Sequence, residues 1–148
     1  MKTDEMKDEA YHLFKDSINI TSGGKRHLGV VIGSTEFRVE YCREKVHKWV
    51  QELKALCEIA QSEPHAAYTG YLKAFYSKVT YFMRTIENFE EYLEPIESVI
   101  NDNLLPILFG QEESFNPAMR NLFRLLAKNG GLRIKNPLID SKFQKKRL

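Results

Sequence analysis

Residues 64–86 read PHAAYTGYLKAFYSKVTYFMRTI, and this stretch decides the fold class. Its apolar positions are Tyr68, Tyr71, Leu72, Phe75, Val79, Phe82, Met83 and Ile86, at intervals of 3, 1, 3, 4, 3, 1 and 3. That spacing is one face of a helix. Pro64 suits a first turn, where its missing N–H has no intrahelical partner. Tyr76 and Tyr81 fall off the stripe, among Lys73, Lys78 and Arg84. Aromatic rings between cations are able to stack on nucleic-acid bases.

Working upstream, Ser34 or Thr35 caps a helix that runs to about Ser62, with Val39, Cys42, Val46, Trp49, Val50, Leu53, Leu56, Cys57 and Ala60 on one stripe. Residues 18–33 read as a β-hairpin, with a short run at Ile18–Thr21, turn chemistry at Ser22-Gly23-Gly24-Lys25 and an apolar run over 27–33. Gly29 marks a bulge and Gly33 the strand end. Residues 3–15 make a short helix striped by Met6, Ala10, Leu13 and Phe14. Downstream, Asn88 and Glu91 form a capping box for a helix whose buried face carries Leu93, Ile96, Val99, Ile100, Leu104, Ile107 and Leu108, ended or kinked by Pro106. Asn116-Pro117 starts another helix and Gly130 ends it. The expected fold is mainly α, with four to five helices in a bundle and one N-terminal β-hairpin. Residues 1–137 form one domain, of which 1–33 is the short helix plus hairpin and 34–137 the bundle. Residues 138–148 form a basic flexible tail.

The composition excludes several classes. The chain has 148 residues, 43% hydrophobic and 28% charged, with a formal net charge of +2. This is ordinary globular material. Two cysteines 15 positions apart on one helix lie roughly 20 Å from each other, too far to share a bond or a metal. They are read as buried thiols in a reducing, intracellular setting, cytoplasmic or nuclear. No run of 18 apolar residues is present, so no membrane partner is expected. Charge is segregated: residues 87–113 carry eight acids and no base, whereas 64–86 carry three bases and no acid. The acids read as a solvated face at helix starts.

No catalytic or metal-binding constellation is legible. His12, His27, His47 and His65 sit on separate elements, and HExxH, CxxC and GxSxG are all missing. Ser22-Gly23-Gly24-Lys25 continues into Arg26 and a strand, which is wrong for a phosphate loop.

Residues 25–33, KRHLGVVIG, carry a resemblance, extended in order along the chain. Before the hairpin stands Asn19-Ile20-Thr21; after it come Tyr41, Lys45, Val46 and Trp49, then Glu63-Pro64-His65-Ala66-Ala67-Tyr68. Tyr81-Phe82-Met83-Arg84-Thr85-Ile86, Leu93-Glu94-Pro95-Ile96-Glu97 and finally Gly130-Gly131-Leu132, Ile134 and Asn136-Pro137 follow. This series, over about residues 1–137, resembles the post-palm region of retroelement reverse transcriptases of the non-LTR-like or tyrosine-recombinase-type groups. The family's Gly-Leu-Gly-Ile run reads Gly131-Leu132-Arg133-Ile134 here.

The resemblance implies a primer-grip hairpin and a thumb-like bundle, a fragment without the palm. The palm's Tyr-x-Asp-Asp box, which would hold two magnesium ions, is missing from the chain. The isolated chain is therefore expected to be no enzyme and to need no cofactor. Its expected partners are the missing palm and an RNA–DNA or RNA template–primer duplex, held weakly and without sequence preference. The implied contacts are the hairpin backbone at His27, Leu28 and Gly29, with Lys25 and Arg26 on phosphate. Lys45, Lys48, Lys73, Lys78 and Arg84 would track the nucleic-acid backbone. The alternative is a free-standing helical protein-interaction module.

Overall fold

A computed structural model of the chain describes residues 2–14, 21 and 23–145. It is mainly helical with a single two-stranded antiparallel sheet among the described residues, and it divides into two units, Met1–Tyr41 and Cys42–Leu148.

The first unit holds α1 (Lys2–Phe14), β1 (Gly24–His27), β2 (Val30–Gly33) and the opening turns of α2 (Thr35–Ser62). On α1 the expected apolar stripe exists but is not covered: Met6, Leu13 and Phe14 are all exposed. The hairpin forms in a different register from the one expected. Gly24 pairs with Gly33, Lys25 with Ile32, Arg26 with Val31 and His27 with Val30, so the turn is Leu28-Gly29 rather than 22–25. The proposed first strand, Ile18–Thr21, falls largely on residues 15–20 and 22, outside the described ones.

The physical reason lies in the turn. A two-residue hairpin loop needs positive φ at both central positions to match the strand twist, and Leu28 and Gly29 adopt 50° and 82°. Gly29 takes that geometry without steric cost, whereas Leu28 pays for its Cβ. The Tyr41 hydroxyl donates to the Gly29 carbonyl at 3.1 Å, and Ser34 N–H closes the open end on Gly23 O at 2.8 Å. Gly33 ends β2, as expected. Ser34 caps α2 by accepting from Phe37 N–H.

The second unit is built on the rest of α2, whose buried residues Cys42, Val46, Trp49, Leu53, Cys57 and Ala60 follow the expected stripe. The decisive stretch is one continuous helical run: α3 (Pro64–Gly70), a π-helical turn (Tyr71–Phe75) and α4 (Tyr76–Thr85). Asn88 does not make a capping box. It sits in the left-handed region with no side-chain cap bond and opens a 3₁₀ turn, Phe89–Tyr92. The helix proper starts at α5 (Glu94–Val99), with Pro95 in its first turn. A second π-helical turn (Ile100–Leu104) joins α5 to α6 (Leu105–Phe109), so Pro106 sits in the first turn after the π segment and does not stop the run; Gly110, at φ 65°, does.

α7 (Pro117–Arg124) is capped by Asn116, whose side chain accepts from Met119 N–H at 2.9 Å. It stops six residues before the expected Gly130. The Phe123 carbonyl, which would continue the helix, is taken instead by Leu132 N–H and Ile134 N–H, and the Leu125 carbonyl by Arg133 N–H. A 3₁₀ turn (Ala127–Asn129) and Gly130, at φ 78°, turn the chain back. In place of the expected tail, α8 (Pro137–Lys145) packs against α4 and α5 and buries Ser141.

The core of this unit centres on Trp49, which meets Phe82, Phe89 and Phe75 edge-on at centroid distances of 4.8, 6.0 and 6.4 Å. Edge-to-face contacts of this kind contribute beyond their buried area. Leu53, Leu93, Ile96, Ile100, Leu104 and Leu105 complete it.

Candidate nucleic-acid interface

Residues 131–136 form a strap that crosses the aromatic helix. Gly131 makes the crossing possible, because a Cβ there would strike the backbone of Leu125. The strap's carbonyls are met by side chains from far away in sequence. The Tyr68 hydroxyl donates to Leu132 O at 2.6 Å, and the Tyr71 hydroxyl to Lys135 O at 3.1 Å. The Tyr76 hydroxyl donates to the Asp140 carboxylate, at the start of α8, at 2.7 Å. The tyrosines of the stripe are thus more than apolar packing. Tyr76, expected off the stripe, is buried. Burial pushes the Tyr71 and Tyr76 phenols far above their ordinary range, so both stay protonated donors.

Beneath the strap lies a buried ionic network that the sequence reading did not find. Arg120 donates through Nε and Nη2 to both carboxylate oxygens of Glu97, at 2.7 and 2.9 Å. Its Nη1 donates to Ile134 O at 2.7 Å and its Nη2 also to Lys135 O at 2.9 Å. Asn136 donates to Glu97 at 2.9 Å and, through Oδ1, accepts from Leu138 and Ile139 N–H, capping α8. Arg120 is only 4% exposed and Glu97 9%. Glu97 therefore does not belong to the solvated acidic face expected for 87–113. Burial pushes its carboxyl above the ordinary value, against the Arg120 hydrogen bonds that pull it down. Such a pair holds geometry because removing either partner strands a buried charge.

The network sets the backbone of the strap, and the strap carries two cations to the helix. Arg133 and Lys135 line a groove of about 550 Å³ together with Lys73, Arg84, Tyr76 and Tyr81. Lys135 Nζ lies 5.4 Å from the Tyr76 ring centroid and 3.8 Å from Asp140 Oδ2. No carboxylate lines the groove itself among the described residues; Asp140 behind it offsets one of the four charges.

Of the expected contact residues, Lys73 and Arg84 are brought together in this groove. Lys78 is not in it: its ammonium pairs with Glu52 of α2 at 2.8 Å. On α2, Lys48 pairs with Glu44 one turn away, and Lys45 is half-buried. The hairpin residues belong to the first unit. Lys25, Arg26 and His27 are exposed on β1, Leu28 is 83% exposed at the tip, and Gly29 offers a carbonyl already held by Tyr41. Ile32 on β2 is 66% exposed. The missed members, Arg133 and Lys135, had a signal in the basic excess of residues 133–148, where the expected tail drew attention away from the strap.

The paired magnesium site of the resembled polymerases has no counterpart in the residues present. Among the described residues no three His, Cys, Asp or Glu side chains converge to hold a metal ion. Cys42 and Cys57 are buried and unpaired with each other, and burial raises the Cys57 thiol above its ordinary value. No described helix is long and apolar enough to cross a membrane. Comparison with protein-family models, with curated proteins and with solved structures finds no match to this chain.

Proposed function

We propose that the chain holds nucleic acid and performs no chemistry of its own, as the primer-positioning and thumb-like part of an RNA-directed DNA polymerase. The observation that carries this reading is the convergence of Lys73, Arg84, Arg133 and Lys135 on one groove. Cations so grouped attract phosphate regardless of sequence, and their binding weakens as salt rises. The hairpin adds support: its Lys25, Arg26 and His27 are solvent-facing, and its tip presents backbone groups on a rigid two-residue turn.

The test is fluorescence anisotropy of a labelled RNA–DNA template–primer duplex titrated with the full chain at several salt concentrations. The expected result is binding at low salt that declines linearly on a log–log plot, with Lys25→Ala/Arg26→Ala weaker than the parent. An unchanged anisotropy at low ionic strength removes the reading. A second reading, a helical protein-interaction module, draws on the exposed Met119, Leu122 and Leu126 of α7 and its exit. It predicts a partner whose binding is insensitive to salt.

A further inference from the structure

We propose that the groove between α4 and the strap is a single-strand site: it takes the phosphodiester backbone of one unpaired strand on Lys73, Arg84, Arg133 and Lys135, with a base against Tyr81. This rests on the nucleic-acid reading above and narrows it from duplex to single strand.

Size is the first argument. At about 550 Å³ the groove falls within the range of clefts that enclose small ligands, not of surfaces that cradle a double helix. Charge is the second. Lys73, Tyr81 and Arg84 sit at helical spacings of 8 and 3, so they share one side of the run through the π turn into α4. Arg133 and Lys135 face them from the strap. A chain of phosphates between two rows of cations satisfies both, whereas a single small anion satisfies one.

Preorganisation is the third. Arg133 is held at φ 59°, a conformation a side chain adopts only under constraint. The constraint is visible: Arg133 N–H bonds Leu125 O at 2.8 Å, and Leu132 and Ile134 N–H both bond Phe123 O. With Ile134 only 1% exposed, the strap is anchored on either side of an exposed Arg133. Lys135 is likewise fixed, its carbonyl held by Tyr71 and Arg120 and its ammonium beside the Tyr76 ring. Cations held in place before binding lose little freedom on meeting phosphate. Tyr81, 42% exposed in the same groove, supplies the aromatic surface that sequence-tolerant single-strand sites use.

The experiment compares labelled oligo-uridylate, oligo-thymidylate and an RNA–DNA duplex by anisotropy, with thermal melting to confirm that each variant folds. Arg133→Gln/Lys135→Gln is expected to weaken single-strand binding at least tenfold and to flatten its salt slope by about 1–2. Lys73→Ala/Arg84→Ala does the same from the helix side and keeps the test decisive if the strap variant misfolds. Tyr81→Ala is expected to cost about tenfold on single strands. Lys54→Ala, exposed on α2 outside the groove, leaves binding unchanged. Duplex binding that ignores every groove variant, with no single-strand binding, overturns this proposal and leaves the duplex reading standing. No binding of any nucleic acid overturns both. Competition by inorganic polyphosphate together with a silent Tyr81→Ala overturns the single-strand assignment in favour of a general polyanion groove.

Discussion

The hairpin of the first unit and the strap of the second invite comparison. Each is a short, glycine-bearing segment with two cations, Lys25 and Arg26 in one and Arg133 and Lys135 in the other. The hairpin is held by its own ladder and one tyrosine twelve residues from its turn. The strap forms no ladder with a neighbouring strand; its carbonyls are met by Arg120 and by tyrosines 64 positions away, and Ile134 is buried below it. One segment is specified by its neighbours in sequence, the other by its neighbours in space.

That difference is open to test, most severely at Arg120. Arg120→Ala leaves Glu97 buried without its partner and is expected to destabilise the second unit by about 3–5 kcal/mol, read by urea denaturation. A loss no larger than that of a surface residue would mean that the strap does not depend on distant side chains. Gly131→Ala comes next. Its Cβ meets Leu125 backbone, which cannot swing aside as a side chain does, so a cost of roughly 1–3 kcal/mol is expected.

Tyr71→Phe removes one of two donors to Lys135 O and should cost about 1 kcal/mol, with the remaining Arg120 bond limiting the loss. In the hairpin, Gly29→Ala places a side chain at φ 82° and should also cost about 1 kcal/mol, but confined to the first unit. Hydrogen exchange that speeds up over residues 24–33 and nowhere else would bear this out; a chain-wide change would contradict the local character of the hairpin. The smallest effect is expected at the thiols. Because burial raises the Cys57 pKa, less thiolate is present at any given pH than for a free cysteine, and reaction with a disulfide reagent should be slow until the chain unfolds. Rapid reaction of the native chain at mildly alkaline pH would show that α2 opens locally.

What the sequence made legible follows the same division. The α2 stripe, its Ser34 cap, the Asn116 cap of α7 and the mainly helical class with its hairpin all depend on neighbours within one or two turns, and all appear in the structure. The turn at Leu28-Gly29 was also local, yet it was outranked by the adjacent glycine pair Gly23-Gly24, because a leucine at positive φ is uncommon. The burial of Glu97 was not legible from its surroundings, since nothing within a turn of it distinguishes it from Glu90 or Glu94. Its partner stands 23 residues away. Of the groove, Lys73 and Arg84 could be read from the helix, while Arg133 and Lys135 needed the strap's path. α8 was hidden because its Leu138 and Ile139 are only half-buried, giving a weak stripe.

The π-helical turn at Tyr71–Phe75 has a consequence for the chain's tolerance of length change. Each α-helical residue advances about 100° around the axis, and a π turn accommodates one residue more than an α turn spans. That surplus lets Phe75 and Tyr76, adjacent in sequence, both face inward, one toward Trp49 and the other toward Asp140. Deleting a single residue within 71–75 would let the run relax to plain α-helix, with Tyr76 and everything C-terminal to it rotated out of phase. Along this helix, a loss of one residue is a change of orientation for every side chain that follows.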